Sequence, residues 1–200
     1  MSVKRVFIVR HGETDYNAQH RWQGHLDVPL NENGKQQADA LATYFADQSI
    51  DLIFSSDLKR AYDTAQAIAT AKKMDIKKEK RLREVHLGLF QGLTRTQIQE
   101  AYPQEAFNWD NDDSFVVPQG ESRVQLQNRA YAAWQSLTKS KDAKTIMLVS
   151  HGGTIRMLLQ KLFPEKVAYI KLKNTSISII ERDEEGNWQP SALNTTPHLE

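Results

Sequence analysis

Two short apolar runs of one shape constrain this 200-residue chain more than any other feature. Phe7-Ile8-Val9-Arg10-His11-Gly12 and Met147-Leu148-Val149-Ser150-His151-Gly152 each read apolar strand, one polar residue, histidine, glycine. A continuous apolar, β-branched run suits a strand covered on both faces, as in a parallel sheet with helices on either side. In open sheets of that kind ligands sit beyond the carboxyl ends of the strands. Both His-Gly pairs fall at such ends, and the glycine permits a sharp turn or a close backbone approach. The two imidazoles are therefore expected to face one cleft, although 140 positions separate them.

The rest of the chain alternates in period. Strands are expected over residues 3–9, 51–55, 76–85 and 145–150, and a final pair over 176–180 and 188–193 around the turn signal Glu184-Glu185-Gly186-Asn187. Helices are expected from the start signal Leu30-Asn31-Glu32-Asn33-Gly34, with Ala38, Leu41, Ala42 and Phe45 on one stripe, and from Ser56 or Asp57 as cap, with Leu58, Ala61, Ala65 and Ile68. Two more are expected from Ser122, with Leu126, Ala130, Trp134 and Leu137, and over 154–163, stopped by Pro164. This alternation predicts an α/β fold, a three-layer sandwich with a mostly parallel central sheet flanked by helices. The whole of 1–200 reads as one domain. Between Gly88 and Gly120 the pattern loosens around a short helix near 96–101, with Phe90, Tyr102, Phe107, Trp109 and Phe115 scattered through it. Such an aromatic-bearing insertion, at about 86–120, is either a lid or pocket wall or an ordinary surface excursion.

Composition narrows the function. With 26 Lys+Arg against 25 Asp+Glu the formal charge is +1, which argues against a nucleic-acid or anionic-membrane binder. The absence of cysteine removes disulfides, thiolate nucleophiles and Cys-ligated zinc. No apolar run approaches the roughly 20 residues of a membrane helix, and the first run is too short for a secretory signal. The expectation is a soluble, cytoplasmic protein acting on a small molecule. Its oligomeric state is not specified.

Other strand ends carry the rest of a site. The run over 51–55 leads to Arg60, and the charged run after 76 ends at Arg83-Glu84-Val85. Two guanidiniums, Arg10 and Arg60, suit a doubly charged oxyanion, because each forks onto two oxygens. Phosphate is the obvious one. A neutral imidazole can attack phosphorus and split a hard step in two. A second imidazolium and the arginines can stabilise charge on the equatorial oxygens. A protonated Glu84 can donate to the leaving alkoxide and later take a proton from water. Side chains carry the positive charge, so neither metal nor cofactor is required. Each residue also has a plain reading: a structural histidine at a strand end, a surface ion-pair arginine, or, for Glu84, one member of a solvated charged face. His20, His25, His86 and His198 read as surface residues.

Arg10-His11-Gly12-Glu13-Thr14 followed by Asn17 resembles the opening signature of the histidine phosphatase superfamily, the phosphoglycerate-mutase-like proteins. The likeness continues in order through Gln23-Gly24-His25-Leu26-Asp27, then Ser55-Ser56-Asp57-Leu58-Lys59-Arg60, then Leu82-Arg83-Glu84. It goes on with Pro118-Gln119-Gly120-Glu121-Ser122 and Ser150-His151-Gly152-Gly153, and Asn174-Thr175-Ser176 and the tail Leu193-Asn194-Thr195 also fit. The resemblance implies His11 as the phosphorylated nucleophile. Arg10, Arg60 and His151 would complete the phosphate pocket, Glu84 would be the proton donor, and Asn17 and the backbone at Gly24 and Gly152 would add phosphate contacts. Asn17 and Gly24 come from the resemblance alone. Three positions depart from the pattern: Gln119 replaces a glycine, Gln91 stands where an acidic residue is common, and Phe90 stands for a tryptophan.

Only 37 positions separate Glu84 from Glu121, where the cofactor-dependent mutases of the family carry extra chain. With the wording of residues 22–27, this resembles the small phosphatase branch, which includes broad-specificity monoester phosphatases and α-ribazole-phosphate phosphatases. The expected activity is metal-independent phosphomonoester hydrolysis through phosphohistidine. The alternatives are phosphoglycerate mutase or a non-catalytic phosphate-binding module. A metallohydrolase or serine hydrolase lacks its motif here.

Overall fold

A computed structural model describes residues 3–167 and 170–200. In chain order the elements are β1 (Arg5–Arg10), α1 (Asp15–Ala18), α2 (Glu32–Phe45), β2 (Leu52–Ser55), α3 (Lys59–Lys72), β3 (Ile76–Lys78), α4 (Arg95–Ala101), α5 (Pro103–Asn111), α6 (Arg123–Leu137), β4 (Thr145–Ser150), α7 (Gly152–Leu162), β5 (Ile177–Arg182) and β6 (Trp188–Thr195). The six strands form one sheet in the order β3-β2-β4-β1-β5-β6. The four from β3 to β1 run parallel, while β5 pairs antiparallel with both β1 and β6.

Strand period divides the core. Val6, Ile8, Ile146 and Leu148 point to one face and pack with Ala130, Ala133 and Trp134 of α6 and Ile155, Leu158 and Leu159 of α7. Phe7, Val9, Met147 and Val149 point to the other and meet Leu41 and Phe45 of α2 and Ala61, Ala65 and Ile68 of α3. The expected three-layer α/β sandwich is thus the observed one. The 86–120 stretch has a small core of its own, in which Phe90, Ile98, Ala106, Trp109 and Val117 pack with Leu126 and Met157.

Four sequence expectations need correction. The strand expected over 76–85 ends at Lys78, because the Glu79 carboxylate accepts the Arg81 N–H at 3.0 Å and turns the chain into a 3-10 turn at Lys80–Leu82. Neither Ser56 nor Asp57 caps α3. Asp57 instead pairs with Arg83 at 2.7 Å, and the Lys59 N–H donates to Asp27 Oδ1 at 2.6 Å, from a loop 32 residues upstream. α7 starts at Gly152, two residues earlier than expected, and α5 lies inside the stretch read as loose. No helix among the described residues is long and apolar enough to cross a membrane.

Candidate active site

Parallel register brings the two His-Gly segments together. Arg10 stands opposite Ser150 in the β1–β4 ladder, so the next residue of each strand leaves the sheet at the same edge. Strands lie about 4.8 Å apart, and the His11 and His151 ring centroids are 5.1 Å apart. β2 ends one strand over, and Ser56 reaches His151 Nε2 with its Oγ at 2.8 Å.

Hydrogen bonds assign the tautomers. His11 Nδ1 lies 2.7 Å from the Gly12 carbonyl, which can only accept, so Nδ1 carries the proton and Nε2 keeps a bare lone pair. Burial, then the charges of Arg60 and Arg10, push this histidine well below its ordinary value, so the ring is neutral. The His11 carbonyl is held by the Thr175 N–H at 3.2 Å and by Asn174 Nδ2 at 3.1 Å. Thr175 is fully buried and has φ +55°, a costly conformation for a β-branched residue, placed where it fixes His11. His151 is also pushed well below its ordinary value, by burial and then Arg60. The Ser56 hydroxyl that meets His151 Nε2 also accepts the Leu58 N–H at 3.3 Å. His151 Nδ1 has no partner among the described residues.

Three buried nitrogens at this edge have no partner among the described residues: Arg10 Nε, Arg60 Nε and His151 Nδ1. Both outer nitrogens of Arg60 and one of Arg10 are committed. Arg10 donates to the Leu172 carbonyl at 2.6 Å, and Arg60 to the Leu26 and Gly24 carbonyls, each at 2.8 Å. Burial pushes Arg60 down to about 10, which leaves it charged at neutral pH. Gly24 can offer its carbonyl because it adopts φ +52°. Gly152 lies directly against Arg10: a Cβ there would stand 3.4 Å from Arg10 Nε, in ordinary van der Waals contact. Asn17 caps its own short helix, and its Oδ1 accepts from Thr14 and Asn174.

Glu84 sits at the N-terminus of α7. Its Oε2 accepts the Gly153 N–H at 3.0 Å, and its Oε1 accepts the Thr154 and Val85 N–H groups at 3.1 and 2.9 Å. The Glu84 carbonyl is gripped by His25 Nε2 at 2.8 Å and Arg129 at 2.7 Å. His25 stacks edge-on against His86 at 4.5 Å, and its backbone N–H donates to Gln91 Oε1 at 2.7 Å. So His25 and His86 are not free surface residues, and Gln91 has structural work that an acid would also do. His198 is likewise engaged, at 3.0 Å from Thr175 Oγ1, while His20 is exposed.

The site opens into a cleft of about 520 Å³ lined by Arg10, His11, Asn17, Gly24, Arg60 and Glu84. Its outer wall was not foreseen. Of the aromatics expected from the insertion only Trp109 lines it, with Trp22, while Phe90 is fully buried and Phe107 faces solvent. The wall is instead rich in arginine, and isolated surface arginines give no sequence signal of sharing one wall.

The family model described as histidine phosphatase superfamily (branch 1) matches residues 6–196. The chain is 37% identical over 199 residues to phosphoglycerate mutase-like protein 4 of Arabidopsis thaliana, covering 98% of this chain and 86% of that one. It is 34% identical to phosphoserine phosphatase 1 of Hydrogenobacter thermophilus, covering 98% and 94%. Among solved structures, a mycobacterial glucosyl-3-phosphoglycerate phosphatase complexed with VO3 superimposes with TM-score 0.83 at 33% identity, covering 96% of this chain and all of that one.

Proposed function

This chain belongs to the histidine phosphatase superfamily, branch 1, and from that premise we propose that it is a phosphomonoester hydrolase that works through phosphohistidine on His11. One observation carries the reading: a neutral imidazole with a bare Nε2 shares a strand edge with three buried nitrogen donors that lack partners. Leaving buried donors unpaired costs about 1–3 kcal/mol each, and an oxyanion that pairs all three offsets that cost.

In the first step His11 Nε2 forms a bond to phosphorus and the ester P–O bond breaks. Arg10, Arg60 and His151 stabilise the charge on the equatorial oxygens. Glu84 gives a proton to the leaving alkoxide. Its Oε2 takes only one backbone donor, so a lone pair remains to carry that proton. In the second step Glu84 takes a proton from water, the new P–O bond forms, and the P–Nε2 bond breaks to release phosphate. Asn17 and the Gly24 and Gly152 backbone complete the binding of the anion, and the 86–120 segment forms the wall over the leaving group. No step calls on a metal or cofactor.

The test is hydrolysis of an aryl phosphate in the presence of chelator, with trapping of an acid-labile phosphoprotein. Both signals are expected in the wild type and neither in His11→Ala. Turnover that disappears with chelator, or an acid-stable adduct, would overturn the reading. Phosphoglycerate isomerised without release of phosphate would make the enzyme a mutase.

A further inference from the structure

We propose that the outer wall of the cleft is a second anion subsite, so that the alcohol released carries an anionic group of its own. This rests on the phosphatase reading and names its substrate class. Beyond Arg10 and Arg60 the cleft is lined by Arg21, Arg95, Arg123 and Arg156, against only two carboxylates, Glu84 and Asp110. The lining thus carries four formal positive charges, although the whole chain carries one. A bound phosphate dianion offsets only two of these.

The hydrogen bonds show which of the outer arginines lack a carboxylate partner. Arg95 is paired with Asp110. Arg123 is paired with Asp113 at 2.9 Å and lies 4.2 Å over the Trp109 ring. Arg21 meets only neutral acceptors: the Gly92 carbonyl at 2.8 Å and the Gln19 and Gln97 amides at 3.0 and 3.4 Å. No hydrogen bond or ion pair reaches the Arg156 guanidinium among the described residues. Its place in the sequence matters. Arg156 follows Gly152 and Gly153 by four and three positions on α7, and so shares their face. Gly153 is the residue against which Glu84 docks. Arg156 therefore stands one helical turn along α7 from the backbone N–H that holds the acid, and lines the same cleft. Trp22 and Trp109, with centroids 6.3 Å apart, offer apolar surface for a short carbon spacer.

The experiment is calorimetric titration with three phosphonates of matched length: propylphosphonate, 3-phosphonopropionate and ethylene-1,2-bisphosphonate. Binding needs no turnover, so the subsite is read independently of the chemistry. The two compounds with a second anion are expected to bind about ten- to a hundred-fold more tightly than propylphosphonate, the range of a charged hydrogen bond. The tighter of the two identifies a carboxylate or a second phosphate as the preferred group. Arg156→Gln is expected to erase most of that advantage and to leave propylphosphonate within about two-fold of wild type. Arg21→Gln, at a guanidinium already engaged by neutral acceptors, is expected to erase part of it. Equal affinities in the wild type, or an Arg156→Gln variant that weakens all three alike, would overturn the subsite. Failure of all three to bind would remove the phosphate pocket itself.

Discussion

Gly153 shows how one missing side chain sets the position of a reacting group. A Cβ at this residue would stand 2.5 Å from Glu84 Oε1, closer than real Cβ atoms come, and Glu84 cannot yield without losing the Gly153 and Thr154 N–H groups. Gly153→Ala should therefore displace the acid and leave His11 and the arginines in place. The kinetic signature is specific. Esters with poor leaving groups need the proton, and aryl esters need little of it. Both Gly153→Ala and Glu84→Gln should slow an alkyl phosphate by roughly 10²–10⁴-fold, the range of general acid catalysis, and slow an aryl phosphate far less. Equal slowing of both substrates would remove Glu84 from the acid role. Gln119 is the converse case. It stands where the family pattern has glycine and adopts φ +63°, so the pattern's glycine answers a left-handed backbone that this chain adopts without one.

At the scale of elements, the loop over residues 22–27 ties the two halves of the site together. It gives Arg60 two carbonyls, receives the α3 N-terminus on Asp27, and grips Glu84 through His25. Asp27→Ala removes the acceptor for Lys59 N–H and should cost about 1 kcal/mol, as loss of a helix cap does. That corresponds to a fall in Tm of about 2–4 °C for a chain of this size. It should also lower kcat/KM by loosening Arg60, and Asp27→Asn, which keeps an acceptor oxygen, should restore most of both. An unchanged Tm in Asp27→Ala would mean that α3 does not depend on this cap. The same loop marks how far the sequence could be read. Strand ends and helical stripes are local patterns, so β1, β4 and the helices over them were legible, and with them His11, His151, Arg10, Arg60 and Glu84. A cap supplied from 32 residues away leaves no local pattern, and Ser56 and Asp57 were the nearer and wrong choices. The strand expected to run to Val85 failed for a related reason, since a side-chain bond from Glu79 competes with the ladder. The roles of His25 and the arginine wall depend on the fold of 86–120, whose helices α4 and α5 are too short for periodicity to reveal fully.

For the whole molecule, burying several neutral histidines links stability to pH with a definite sign. Burial is the main cause that holds His11, His151, His25 and His198 below their ordinary value, His11 and His151 well below. In the unfolded chain each takes a proton near pH 6.5. Below that pH the unfolded state binds protons that the native state refuses, so stability falls as pH drops and is level above it. His11 and His151, almost wholly excluded from solvent, dominate. Each contributes a slope of up to about 1.4 kcal/mol per pH unit until its native pKa is reached. The carboxylates act in a separate, lower window: Asp57, held down by its bond to Arg83, loses its contribution only as pH falls below the ordinary aspartate range. The urea midpoint should therefore hold steady from pH 8 to 7 and fall between pH 6.5 and 5. His11→Ala and His151→Ala should each flatten that fall. Inorganic phosphate, which binds the native state alone, should raise the midpoint throughout. On the proposed mechanism catalysis should carry the same signature, because a His11 that stays neutral below pH 6.5 keeps its Nε2 lone pair in mildly acidic solution. A midpoint that is level down to pH 5, or a fall that both variants retain in full, would mean that these imidazoles take up protons as readily in the folded chain as in the unfolded one.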